Sequence, residues 1–478
     1  MPIINGCCTA GYSAGTMRYM PSGQTQHKLR RALTLRDAII INLGAIIGAG
    51  IFVIMGLATG ASGPAVVLSI IIAAFIALLT GLSFSEIARH VAKEGGVYEY
   101  SKETLSPFSG FLGGLLWTFG NIIALSAVSL SLGSYIDALF HLTVSNVYFA
   151  IPSILAFMII NILGIKNSAK TLFGLVIINV LVLSLFVAFG MLYFHAQNFS
   201  GFFQKGAGGL IEGTALIFFA FTGFSRVTTV SEEVVRPERT IPYAIIVSVL
   251  ISAVLYVLVA ITALGLVPFS LIDKSASPLS FAISTLHNPV VDVIIALGGI
   301  TATAGVLLTG ILGTSRVFFA MSRDNELPGR LDFLDRFSTP IYSILLSSFL
   351  GIAFLAFASF LTIVEIANVS ILLSYFIVNI SALNLNLRLR GKNSGAKYLS
   401  GSKYFAPIPI LGAAATILIT LSMGVQPIVF VLIVVALGML YYFYKSSRAL
   451  KKIEKYISKE IPVRSAVREF GRSREERI

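Results

Sequence analysis

Two stretches of this chain combine glycine with long apolar runs in a way that exposes backbone. The first is "NLGAIIGAGIF", residues 42–52, with Gly44, Gly48 and Gly50. The second is "FFAFTGFSRVTTVSEE", residues 218–233, where Thr222 and Gly223 interrupt a bulky aromatic segment. Glycine disfavours a helix by about 1 kcal/mol relative to alanine, so a segment that only crossed lipid would do better without it. An interrupted helix presents free amide N–H groups at the start of one half and free carbonyls at the end of the other. The N–H end attracts an anion, helped by the helix dipole, and the carbonyl end suits an ammonium. An α-amino acid headgroup needs both within a few ångströms. Gly48, Ala49 and Gly50 offer N–H groups with no bulky side chain in the way. The competing reading of Gly44-x-x-x-Gly48 is close packing of one helix on another. The matching interruption at Gly223, with Pro64 opening the next run, favours a binding site.

Charged residues inside apolar runs are functional candidates, because lipid makes them costly. Arg226 follows Gly223 by three residues and is a structural or gating candidate. Glu232 and Glu233 end the same run and suit pairing with Arg or Lys across an inner gate. Glu365 lies near one end of a later run, either as a titrating vestibule carboxylate or as a hydrated bystander. Thr301, Thr303 and Thr309 have the chemistry for a sodium site, but membrane Ser and Thr more often bond the preceding turn, so a proton is expected ahead of sodium as coupling ion. His27, His90, His141, His195 and His287 show no metal-ligand spacing. A GxxxxGK[ST] phosphate loop is missing too. No metal, no cofactor and no enzyme chemistry is expected.

The elements that position these residues are membrane helices. The chain has 478 residues, of which 56% are hydrophobic and only 12% charged, with mean hydropathy +0.88. A soluble domain carries about 25% charged residues, so lipid must be part of this chain's solvent. Twelve apolar runs recur, near 36–61, 64–88, 107–139, 146–165, 169–194, 210–232, 240–267, 291–320, 340–358, 362–387, 405–423 and 427–445. Continuous blocks of this kind exclude a β-barrel, whose strands alternate. The longer connections are 89–106, 195–209, 268–290 and 321–339. Of these, 268–290, with Pro268, Pro278 and Pro289, reads as short helices over an outer vestibule.

The net charge of +13 is placed rather than spread. With a cytoplasmic amino terminus, only Lys205 and Lys274 of the 35 Lys and Arg fall outside, and Arg226 lies within a span. That bias orients both termini to the cytoplasm of a multi-pass cell-membrane protein. The basic tail 447–478 is a topology signal near anionic lipid, and a nucleic-acid partner is not expected. Cys7 and Cys8 are adjacent and cannot bridge each other in the ordinary way. Residues 1–35 read as a largely disordered tail, with Met17 or Met20 as alternative starts.

The interruptions fall in the first and sixth runs. Those are corresponding positions if 36–194 and 210–390 are five-run repeats, and a five-run repeat reverses its orientation in the membrane. Glycine-interrupted segments at matching places in two inverted halves point to a transporter's midplane site. The expected fold is all-α, with twelve transmembrane helices: a ten-helix core at 36–390, and helices 11 and 12 at 391–446 added outside the repeat.

Four segments resemble the amino acid–polyamine–organocation (APC) superfamily of permeases. They are "GAIIGAGIFV", "GPAVVLSIIIAAFIALLTGLSFSEIARHVAKEGGVYEY", "FFAFTGFSRVTTVSEEVVRPERTIPYAI" and "SRVFFAMSRDNELPG". The resemblance covers most of residues 34–390 and is nearest the prokaryotic relatives of cationic amino acid transporters. It implies a LeuT-like inverted five-plus-five repeat, with helices 1 and 6 broken at midplane and alternating access around the breaks. It implies that the substrate carboxylate meets the N–H groups of Ala49 and Gly50, and the ammonium the carbonyls of Ile46, Phe219 and Thr222. Phe219 falls where relatives carry an aromatic gate. Three departures stand out: Ala49 replaces a frequent Ser or Thr, Gly120 replaces an acidic residue of cationic transporters, and Asn179 replaces the lysine of proton-coupled relatives. The implied function is secondary transport of α-amino acids, neutral or of broad range. A polyamine or organic-amine carrier of the same fold and a non-transporting amino acid receptor remain as rivals.

Overall fold

Each of the twelve apolar runs falls on helix. The computed structural model describes residues 29, 31–48, 50–140, 144–273, 275–356, 360–390 and 405–460, with side chains described as far as 447. The first run is split: α1 (Leu35–Ile46) gives way to a single π-helical turn, Gly50–Ile54, which continues into α2 (Met55–Ser62). Gly63, at φ 63°, turns the chain into α3 (Val66–Ala88). Then follow α4 (Val97–Thr104), α5 (Pro107–Phe140), α6 (Val147–Ile162), α7 (Ile165–Gly190) and α8 (Gly206–Phe218). A 3-10 stretch runs over Phe219–Glu233. Beyond it lie α9 (Pro237–Leu266), the short α10 (Phe269–Ile272) and α11 (Pro278–Ser284), and α12 (Pro289–Arg323). The chain continues through α13 (Ile341–Phe354), α14 (Phe360–Arg390), α15 (Pro407–Leu421) and α16 (Val425–Glu460).

Among the described residues, eight stretches are long and apolar enough to cross a membrane, and α6, α13 and α15 are shorter apolar helices. The short helices expected in 268–290 are present as α10 and α11. Among the described residues, β pairing is limited to one parallel bridge, Leu33 to Val234.

That bridge ties the last residues before α1 to the bundle. The N–H groups of Ala32 and Leu33 donate to Glu233 O at 2.9 and 3.0 Å, and Val235 N–H donates to Leu33 O at 2.9 Å. Thr34 then caps α1 reciprocally: its N–H donates to Asp37 Oδ2 at 2.8 Å, and its hydroxyl accepts from Asp37 N–H at 3.4 Å. A capping box of this kind satisfies two otherwise orphaned donors. Residues 1–28 and residues 461–478 lie outside the described residues.

The helices pack in two groups. The interrupted first helix, α3, the 3-10 stretch and α9 pack on one another, while α5, α6, α12 and α13 form the second group. Helix α14 lies along α5, and α7 lies along α12. Large apolar side chains remain exposed on the outside, among them Phe75, Leu181, Val254 and Leu440. In water that surface would be a liability; in lipid it is the ordinary outer face of a bundle.

Candidate functional site

The two interruptions meet. A Cβ added to Gly50 would lie 2.3 Å from both Cα and Cβ of Ala220, and one added to Gly223 would lie 2.3 Å from the carbonyl carbon of Ala45 and 2.6 Å from the nitrogen of Ile46. Backbone therefore touches backbone, and only glycine permits it. Gly44 and Gly48 serve close packing as well: a Cβ at Gly44 would strike Leu172 of α7, and one at Gly48 would strike Val306 of α12. So the packing reading of Gly44-x-x-x-Gly48 holds for those two residues. Ile47 carries the break, at φ −75° and ψ 93°. Ala49 lies outside the described residues.

The second interruption differs from the expected one. The chain does not unwind at Thr222–Gly223; it tightens from α-helix to 3-10 helix at Phe219 and keeps that form to Glu233, with Val230 alone off helical angles. Such runs rarely exceed 3–4 residues. This one carries a column of hydroxyls. Thr222, Ser225, Thr228 and Ser231 recur every third residue, and each donates to the carbonyl three positions back. Thr229 does the same to Arg226 O. With three residues per turn, that column forms a single polar edge. Thr222 is also the only residue from Gly213 to Ser231 that is not buried.

Three tyrosines tie the interrupted backbone. Tyr256 of α9 donates its hydroxyl to Ile46 O at 2.6 Å, with Ala220 O 3.4 Å away. Tyr375 of α14 donates to Thr222 O and lies 2.8 Å from Ser225 Oγ, which also accepts from Trp117 Nε1. Tyr135 of α5 donates to Phe52 O. Below the breaks, Asn42 Oδ1 accepts from Val227 N–H at 3.0 Å. The carbonyls expected to face an ammonium are thus each held by a hydroxyl: Ile46 by Tyr256, Thr222 by Tyr375, and Phe219 by Thr222 at 2.8 Å. A carbonyl has two lone pairs, so Ile46 O can still accept from a ligand, whereas Thr222 O already accepts from both Tyr375 and Ser225.

Arg226 is buried, donates Nη2 to Asn121 Oδ1 at 2.7 Å, and lies with its guanidinium 5.1 Å from the Trp117 ring. Its Nε and Nη1 have no partner. Asn179 accepts from Thr301 Oγ1 at 2.7 Å, so the position where relatives place a lysine is joined to α12. Thr303 and Thr309 donate back into their own helix. Gly120 has α14 packed on it: a Cβ there would lie 2.8 Å from Ala367 O. Glu365 is partly buried, beside Glu212, at the end of the bundle away from Glu233.

Glu232 and Glu233 do pair with arginines. Glu232 is held by both Nη atoms of Arg323, at 3.0 and 2.8 Å, and Glu233 accepts from Arg316 Nε at 3.1 Å. Glu94, not singled out from the sequence, exchanges reciprocal bonds with Glu232: each backbone N–H donates to the other's carboxylate at 3.1 Å. These residues join the loop before α4, the 3-10 stretch and α12, and with Leu33 on Val234 they close this end of the bundle.

The family model for amino acid permeases matches residues 33–441. The chain belongs to the amino acid permease family. That places it in the APC superfamily, as a multi-pass membrane permease and not an enzyme. It is 30% identical to the methylthioribose transporter of Bacillus subtilis, over 89% of this chain and 96% of that one. It is 29% identical to the branched-chain amino acid permease BcaP of Bacillus subtilis, over 89% and 95%. It is 29% identical to the vacuolar cationic amino acid transporter 4 of Arabidopsis thaliana, over 75% of this permease and 64% of that relative.

Sequence reasoning missed Tyr135, Tyr256, Tyr375, Glu94 and Arg316. For the tyrosines no local signal existed, since every run contains at least one aromatic residue. For the 3-10 stretch a signal did exist: the hydroxyl period of three, which departs from the 3.6 of an α-helix.

Proposed function

We propose that this permease is a secondary transporter that moves α-amino acids across the cell membrane by alternating access. Ten of its twelve helices form an inverted five-plus-five core over 36–390, helices 11 and 12 lie outside that repeat, and both termini are cytoplasmic. The two packing groups support that repeat, because run 2 (α3) pairs with run 7 (α9), and runs 3 and 4 pair with runs 8 and 9. The substrate carboxylate binds N–H groups at Gly48, Ala49 and Gly50. The ammonium binds the carbonyls of Ile46, Phe219 and Thr222. Phe219 serves as the gate over it, and Arg226 as a fixed positive charge below.

One observation carries this reading most directly: the Tyr256 hydroxyl reaches Ile46 O at 2.6 Å and Ala220 O at 3.4 Å, so carbonyls from both interruptions converge on a single point. Backbone that is irregular at membrane depth is tolerated where it lines a site. The packing of α14 on Gly120 removes the room for an acidic side chain there, which favours neutral or broad-range substrates over strictly cationic ones. A proton is the coupling ion we favour.

The test is uptake of a labelled amino acid mixture into liposomes holding the purified protein, with competition by alanine, putrescine and methylthioribose. Competition by alanine alone is expected. Competition by putrescine alone would replace the reading with an amine carrier, and by methylthioribose alone with a thiosugar carrier. Saturable binding without accumulation would make the protein a receptor. Gly50→Val is expected to insert normally and to transport nothing.

A further inference from the structure

At the closed end of the bundle the buried charges do not balance. Glu94, Glu233 and Arg316 have side chains 0%, 2% and 0% exposed. Arg316 Nε is 3.1 Å from Glu233 Oε1 and 3.8 Å from Glu94 Oε1, so two carboxyl groups flank one guanidinium nitrogen. The two carboxyls are within hydrogen-bonding reach of each other, yet Glu94 Oε1 has no donor. Two ionised carboxylates cannot share such a contact, since acceptor then faces acceptor.

The surrounding charges do not repair this. From the 3-10 stretch, Glu232 faces the group, and it is occupied by Arg323 of α12. From α3, Glu86 is paired with Arg89, and His90 lies beyond them. On the loop before α4, Lys93 is paired with Glu103. Arg226, against Gly313 one turn along α12, is bonded to Asn121 and stacked on Trp117. The segment before α1 contributes only backbone N–H groups, to Glu233 O.

We propose that the Glu94–Glu233 pair beside Arg316 is a proton-binding site, occupied when this end of the bundle is closed. A proton on Glu94 Oε1 supplies the missing donor to Glu233 and leaves one carboxylate for one guanidinium. Burial, then the neighbouring Glu233, push the Glu94 carboxyl well above its ordinary range, against the pull of Arg316. Opening the gate hydrates both carboxyls and returns the proton to the water that enters; closing takes it up again. The closed form therefore binds the proton more tightly and is favoured by acid. Its advantage is complete below the ordinary glutamate pKa and is lost by up to about tenfold per unit as pH rises toward the closed-gate value. For the consequence on transport, the inference rests on the carrier reading above.

The experiment is infrared spectroscopy of the purified full-length protein in lipid nanodiscs at neutral pH, without substrate, comparing wild type with Glu94→Gln and Glu233→Gln. Beside the band of Glu99, which all three proteins share, a further protonated-carboxyl C=O band is expected in wild type and is expected to vanish in both variants, because either change leaves one carboxylate for Arg316. A band absent from wild type, or lost in one variant only, overturns the site. Should a glutamine variant fail to fold, Glu94→Asp keeps the carboxyl at shorter reach and must shift the band; an unshifted band overturns the site as well. Exchange of the labelled amino acid mixture is measured on the same preparations. Exchange without the band refutes the proton site alone, and the band without exchange refutes the carrier reading alone.

Discussion

Gly223→Ala tests whether the contact between the two interruptions sets the binding geometry. The added methyl would sit 2.3 Å from Ala45 C, 2.4 Å from Ala45 O and 2.6 Å from Ile46 N. Carbon atoms pack at about 3.5 Å, so the 3-10 stretch must retreat from α1 by about 1 Å. None of the struck atoms belongs to a side chain that can swing away. Overpacking of this kind costs about 1–3 kcal/mol in stability. A hydrogen bond of about 2.9 Å that stretches by about 1 Å is lost. A bond to a charged partner is worth about 1.5–3 kcal/mol, so half-saturation should rise by about 10- to 100-fold. The assay is concentration-dependent uptake into liposomes, with Gly174→Ala as the comparator, since nothing lies within 4 Å of a Cβ at Gly174. A well-inserted Gly223→Ala that keeps the wild-type half-saturation would refute the idea that the two interruptions share one ligand.

Tyr256→Phe removes the hydroxyl that reaches Ile46 O; it should lower stability by about 1–3 kcal/mol, read as a lower melting temperature in detergent, and no change would show that the carbonyl has another donor. Arg226→Leu removes a buried cation with two unpartnered nitrogens. Apolar replacement of buried charge is often neutral or stabilising, so the melting temperature should hold while uptake falls; a parallel collapse of both would make Arg226 purely structural. Glu99, in α4, has its carboxyl pushed up to about 7 by burial, against the nearby Lys102. Its folded pKa is raised, so stability is fullest below the ordinary glutamate value and declines as pH rises to about 7. Thermal melts between about pH 5 and 8 should therefore fall less steeply for Glu99→Gln than for wild type, and equal slopes would sink that assignment.

The membrane helices were legible because each needs only a continuous apolar run, and a run is a local property. The interruption at residues 47–50 was legible for the same reason, since glycine weakens a helix wherever it stands. The second interruption was only half legible. Thr222–Gly223 marked the place, but the backbone tightened there instead of opening, with hydroxyls spaced by three bonded to the carbonyls behind them.

By itself, then, the sequence determined the apolar runs, the family motifs, the places where the helix is weak and the pairing potential of Glu232 and Glu233. Tertiary structure alone decided what those places meet. Gly50 faces Ala220, and Gly223 faces Ala45 and Ile46, across roughly 170 residues of intervening chain. Tyr135, Tyr256 and Tyr375 reach those backbones from three separate helices. Glu94 joins Glu233 and Arg316 from a loop far from both in the chain. Such meetings depend on how helices pack. Packing is fixed by the shape of whole faces, which no short stretch of sequence contains.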